Sequence, residues 1–171
     1  MQLLLIRHGK AGDREAWRQA GKDDFDRPLT PAGRKQMKAA AKGLRQIIPK
    51  IDILATSPLV RARQTAELVY AAYQDRPEFV EKDILSGEHP AAKLAHWLKS
   101  LNKSDGVVAC VGHEPDLSHY AGYFIAGEEE EIIEMKKGGV CVIEFQRQIG
   151  MGRGKLRSLC SAKDLRRMAR R

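Results

Sequence analysis

Long apolar runs are missing from this chain. No stretch of its 171 residues approaches the ~20 that a membrane-spanning helix needs, so no membrane partner is expected. Met1 leads straight into an apolar strand without a basic leader, so no signal peptide is expected either. Cysteine is scarce. Cys110, Cys141 and Cys160 form an odd, sparse set in or beside apolar segments. That argues against a disulfide framework and points to buried free thiols in a reducing, cytoplasmic setting. Among the five histidines no spacing resembles a zinc or di-metal site, so neither metal nor cofactor is expected. Acidic residues are nearly absent from the C-terminal end. Residues 146–171 hold nine Lys and Arg against Asp164 alone, whereas residues 1–145 hold 21 of each sign. The net charge of +8 therefore belongs to that end. Such an end attracts polyanions or is simply solvated. No aromatic platform accompanies it, so nucleic acid is not expected as a partner.

What the chain does contain is an alternation of apolar runs and helical periods over a length that suits one domain, residues 1–171, with a basic C-terminal end. Leu3–Ile6 is apolar without alternation, as in a strand buried on both faces. Residues 11–27 show no sustained period and read as a long excursion near a site, pinned by Trp17 and Phe25. Thr30-Pro31 starts a helix with Met37, Ala41, Leu44 and Ile48 on one face. Asp52–Ala55 is a second strand, and Ser57-Pro58 repeats the cap-plus-proline pattern. Phe79-Val80 reads as an edge strand. A helix over 91–101, a strand over 106–111 and a helix from Leu117 follow. Glu128–Glu131 reads as a solvated charge run. Residues 140–145 and 155–160 read as an antiparallel hairpin at the sheet edge, with a terminal helix over 164–171. The fold class is α/β: a three-layer sandwich, a mostly parallel sheet with helices on both faces.

Three buried strands end in chemistry-bearing residues. The first runs into Arg7-His8-Gly9, where Gly9 permits a sharp turn and close approach of a ligand. The second runs into Ser57-Pro58-Leu59-Val60-Arg61-Ala62-Arg63-Gln64-Thr65. Arg61 lies there in a first helical turn that favours anions, while Arg63 points elsewhere. The third runs into Gly112-His113-Glu114-Pro115-Asp116-Leu117-Ser118. In a parallel sheet such ends share one edge, where ligands bind.

These three stretches resemble the motifs of the histidine phosphatase superfamily, which includes the phosphoglycerate mutases. The third resembles the form used by SixA-type phosphohistidine phosphatases, and that resemblance covers nearly the whole chain. It implies a phosphoglycerate mutase-like fold and catalysis without metal through a phosphohistidine intermediate. His8 would be the nucleophile, neutral, with one ring nitrogen free and the other on a backbone acceptor. Arg7, Arg61 and His113 would bind the phosphoryl oxygens, His113 best when protonated, with Gly9 beside the substrate.

A general acid is where the pattern departs. Many superfamily members carry a glutamate two positions after a leucine; here Leu85 is followed by Ser86, Gly87 and only then Glu88. A phosphoramidate tolerates a missing acid, because a protonated imidazole leaves readily, whereas an alkoxide needs a proton. The expected substrate is therefore phosphohistidine on a signalling protein. A small phosphorylated molecule or polyphosphate, with Glu88 as acid, is the alternative. A non-catalytic phosphoprotein-binding module is another. Cys141…Arg147 and Cys160…Arg166 have cysteine-phosphatase spacing but lack a glycine-rich cradle. Gly150–Lys155 has nucleotide-loop composition but no following Ser/Thr or helix.

Overall fold

The apolar runs become the strands of one six-stranded sheet in a computed structural model, which describes residues 1–170. The strands are β1 (Gln2–Arg7), β2 (Ile53–Thr56), β3 (Glu78–Glu81), β4 (Val107–Gly112), β5 (Val140–Glu144) and β6 (Lys155–Cys160), in the order β3-β2-β4-β1-β5-β6. The first four in that order run parallel, and β5 alone runs against its neighbours β1 and β6. The helices are α1 (Arg14–Gln19), α2 (Pro31–Ile47), α3 (Val60–Tyr70), α4 (Ala91–Ser100), α5 (Asp116–Ile125) and α6 (Ala162–Met168).

Strand alternation divides the core in two. Leu3, Leu5, Val108 and Cys110 pack against α4 and α5. Leu4, Ile6, Ala109 and Val111 pack against α2, α3 and α6. Leu3 to Ile6 are fully buried, each worth about 1.5–3 kcal/mol. The three-layer α/β expectation holds. Helix α2 starts as its sequence dictates: Thr30 Oγ1 accepts from Gly33 N at 2.9 Å, and Pro31 stands at the first helical position.

Four local expectations are corrected. The excursion over 11–27 contains α1, capped by Asp13, and a 3-10 turn over Asp24–Asp26. Neither buries a residue, so neither left an apolar period to read. Phe25 is 44% exposed and pins nothing, while Trp17 Nε1 donates to Asp23 O inside the excursion itself. Leu59, not Ser57, occupies the cap position of α3. The last helix begins at Ala162, because Ser161 and Asp164 form a capping box; the expected end at Arg171 lies outside the described residues.

Helix α6 closes on α2 at Gly43. A Cβ there would lie 1.7 Å from Leu165 O. In an open helix Gly→Ala stabilises by about 1 kcal/mol. Here overpacking against backbone costs about 1–3 kcal/mol and reverses the sign. Gly43→Ala is expected to lower the melting temperature by roughly 2–4 °C per kcal/mol of net loss, read by thermal unfolding. A rise would show that α6 yields freely.

Candidate active site

Sheet register builds the site. Arg7 pairs with Gly112, and Thr56 with Val111. The next residues are held level by His8 N donating to Gly112 O at 3.1 Å and Ser57 N donating to Val111 O at 2.9 Å. His8 and His113 thus meet at 5.1 Å between ring centroids.

His8 is 7% exposed, and its Nδ1 lies 2.7 Å from Gly9 O. A carbonyl only accepts, so Nδ1 carries the proton and Nε2 keeps a free lone pair. Burial pushes the ring's pKa down to about 4, opposed by the Gly9 bond and helped by Arg61 and Arg7. Gly9 itself does not line the cavity. Its N–H donates to Thr65 Oγ1 at 3.0 Å, and a Cβ there would lie 2.5 Å from Met37 Cγ. The glycine is needed for packing on α2 rather than for approach of a ligand.

His113 is also 7% exposed, with Nε2 2.8 Å from Ser57 Oγ. That hydroxyl accepts from Leu59 N at 3.3 Å as well, so the residue that reads as a helix cap is shared with the site. Burial, then His8 and Arg61, push His113 down to about 3. Burial first, and the cations around it second, disfavour a proton on the free ring; the expected protonated form is one beside a bound phosphoryl dianion.

Arg61 is not a free donor. Its Nη1 donates to Asp24 O at 2.8 Å, and Nη2 lies 3.0 Å from Asp24 Oδ2. Asp24 Oδ1 also accepts from Arg27 Nε at 2.8 Å, while Arg27 Nη1 donates to Gly12 O at 2.8 Å. Partial burial raises the Asp24 pKa, but the bond to Arg27 and the charges of Arg61 and Arg27 outweigh it, leaving the carboxyl below its ordinary value. Arg7 Nη1 donates to Met135 O at 2.5 Å. Among the described residues, the buried side-chain polar atoms without a partner are Arg7 Nε, Arg61 Nε and His113 Nδ1. All belong to the three motifs. Buried polar groups are ordinarily satisfied, so the cluster marks where an anion would complete the set.

A cavity of about 590 Å³ opens over these groups. Arg7, His8, Arg61 and His113 line it, and so do Lys10, Arg14, Arg27 and Lys137. Sequence reading missed the last four and Asp24; Glu114 was seen only as part of a motif. Glu114 is a wall of the cavity, accepting from Ser118 N at 3.2 Å and from Ser118 Oγ at 2.9 Å. Burial raises its pKa. Glu88 is exposed, with its N–H donating to Asp116 Oδ1 at 3.0 Å, and it is not among the lining residues. Arg63 is exposed beside Glu67, as its spacing predicts. The thiols offer no nucleophile: burial pushes Cys141 up to about 12 and Cys110 further. Among the described residues, no His, Cys, Asp and Glu gather in a set able to hold a metal ion.

Two predictions follow from this geometry. His8 and His113 titrate lower folded than unfolded, so the unfolded chain binds more protons between about pH 4 and the free-histidine value near 6.5. Stability is complete above about pH 6.5 and falls on acidification, by up to about 1.4 kcal/mol per pH unit for each histidine. Denaturant unfolding at pH 7 and 5 checks this; a shallower loss in His113→Gln is expected. Asp24→Ala removes the anchor of Arg61 and should lower kcat/KM roughly 10- to 100-fold by misplacing it. Unchanged kinetics would remove Asp24 from the site.

The sequence signature described as the histidine phosphatase superfamily (branch 1) matches residues 3–88. The chain is 34% identical over 145 residues to an uncharacterized protein of Picosynechococcus sp., covering 82% of each. Its structure is similar to the protein histidine phosphatase SixA complexed with tungstate, with a TM-score of 0.82 at 22% identity over 96% of this chain and 99% of that one. A phosphoserine phosphatase of Entamoeba histolytica, in complex with phosphoserine, gives a TM-score of 0.67 at 21% identity over 96% and 98%. At such identities these two structures share its fold. The signature spans the first two motifs and their strands, and the Picosynechococcus relative extends the match across most of the chain: this protein belongs to the histidine phosphatase superfamily, branch 1, with a SixA-like fold.

Proposed function

We propose that this phosphatase removes the phosphoryl group from phosphohistidine on a signalling protein. The observation that carries the reading is the His8 tautomer. With Nδ1–H held by Gly9 O, Nε2 faces the reaction unprotonated. Nε2 forms a bond to phosphorus as the P–N bond to the substrate imidazole breaks. That imidazole, protonated on its distal nitrogen, leaves neutral, so the enzyme need supply no proton. Water then attacks phosphorus, releasing inorganic phosphate and restoring His8. Arg7, Arg61 and His113 hold the equatorial oxygens, where charge spreads during transfer. The exposed position of Glu88, off the cavity wall, supports a substrate that needs no acid.

One observation favours a second reading. Glu114, half-buried and raised in pKa, lines the cavity beside His113 and can hold a proton for an alkoxide leaving group. The substrate would then be a small phosphomonoester. Rates on a phosphohistidine protein and on phosphoserine, with wild type, Glu114→Gln and Glu88→Gln, separate the two. Fast P–N hydrolysis that neither variant changes is expected. Preference for the P–O ester, lost in Glu114→Gln, would overturn the first reading. His8→Ala should abolish turnover, by at least about 10³-fold, yet keep phosphate binding, because the cationic donors remain. The enzyme-derived acid limb of kcat/KM should lie near pH 4, where His8 protonates, instead of near 6.5.

A further inference from the structure

Every charged side chain on α2 is cationic: Arg34, Lys35, Lys38, Lys42 and Arg45, all exposed. Arg34, Lys38 and Lys42 recur at four-residue steps, so they share one stripe, and Arg45 extends it by three. Like charges at this spacing work against the helix, and an acidic residue at any step would have paired favourably. None of these side chains is in an ion pair among the described residues. Helix α6, packed on α2, adds exposed Lys163 and Arg167, and exposed Arg170 lies just past its end. Its one acid, Asp164, is engaged by Ser161 in the cap.

The stripe runs to the cavity. Thr30, the cap residue of α2, lines the cavity, and its N–H donates to Lys10 O at 2.9 Å. Gly138, next to Lys137, abuts Met37 of α2 and Ala162 of α6. Lys10 and Lys137 both stand in the cavity wall. On the other layer acidic residues appear: Glu129 accepts from Ala91 N at the start of α4, and Glu131 lies 3.7 Å from His119 of α5; on α3, beside α2, Glu67 is taken up by Arg63.

Resting on the phosphohistidine reading, we propose that the cationic face of α2 and α6 is a docking surface for an acidic protein that presents its phosphorylated side chain to the cavity. Charge complementarity selects the occupant. The surface is continuous with a pocket whose nucleophile is 7% exposed, so the partner must insert a phosphoryl group on a side chain. The diester phosphates of a nucleic-acid duplex cannot reach that depth, and neither helix exposes an aromatic residue for stacking.

The test uses the full chain and the variant Lys38→Glu/Lys42→Glu, both positions lying outside the cavity. Three phosphoryl donors are compared: phosphoramidate itself, a small acidic protein phosphorylated on histidine by phosphoramidate, and a histone phosphorylated in the same way. The expected result is a rise of about tenfold in KM for the acidic carrier alone, with kcat and phosphoramidate turnover unchanged. Salt should raise the wild-type KM for the acidic carrier and leave that of the variant flat. Equal KM in both proteins, or equal loss on the histone, would overturn the docking surface. Tighter, variant-sensitive binding to duplex DNA or anionic vesicles than to the acidic carrier would also overturn it. Carrier binding measured in a His8→Ala background reads docking without turnover. Binding retained there without wild-type hydrolysis would refute the phosphohistidine reading and keep the surface.

Discussion

The pairing of Arg7 with Gly112 and of Thr56 with Val111 holds three strand ends at one level, and the chemistry of the protein depends on it. A slip of one residue would send His8 or His113 to the opposite face, because side chains alternate along a strand. What resists that slip is the burial of β1 and β4 on both faces. Leu3 to Ile6 and Val108 to Val111 are fully packed on both sides, and a slip would exchange side chains of different shape between two closely packed faces, opening voids and overlaps. The hydrophobic core therefore aligns the polar site.

The same closeness creates an electrostatic problem. Two imidazoles and three guanidinium groups converge where water is scarce. The structure answers in two ways. The histidines stay neutral, with pKa values lowered first by burial and then by their cationic neighbours. The arginines keep their charge, and Asp24 offsets part of it by binding Arg61 and Arg27 together. The ion pair with Asp24 also fixes the orientation of Arg61 beside the two imidazoles, leaving Nε as its unpartnered donor.

What the sequence made legible was local. Each motif sits within one strand-to-helix turn, so His8, Arg61 and His113 could be placed by the strand that precedes them. The sheet followed from apolar runs, including the edge strand β3 and the antiparallel hairpin. What stayed hidden was nonlocal or without period. Asp24 meets Arg61 across 37 residues, from a 3-10 turn that buries nothing. Ser57 reads as a cap because Ser-Pro commonly is one, and only the tertiary structure brings its hydroxyl to a ring 56 residues away. Glu88 was judged by its offset from a leucine, a spacing that says nothing about whether a positive-φ loop aims the side chain inward.

Met37 joins these strands of argument. Its side chain lies where a Cβ on Gly9 or on Gly138 would stand, at 2.5 and 2.6 Å. One thioether thus spaces the turn after His8 from the turn that carries Lys137. In the drift of sequences over time positions 9 and 37 are therefore tied as a pair, since a side chain gained at 9 must displace or shorten the one at 37. Position 138 is held on its own account: its φ of 74° strains any side chain there, whatever residue stands at 37.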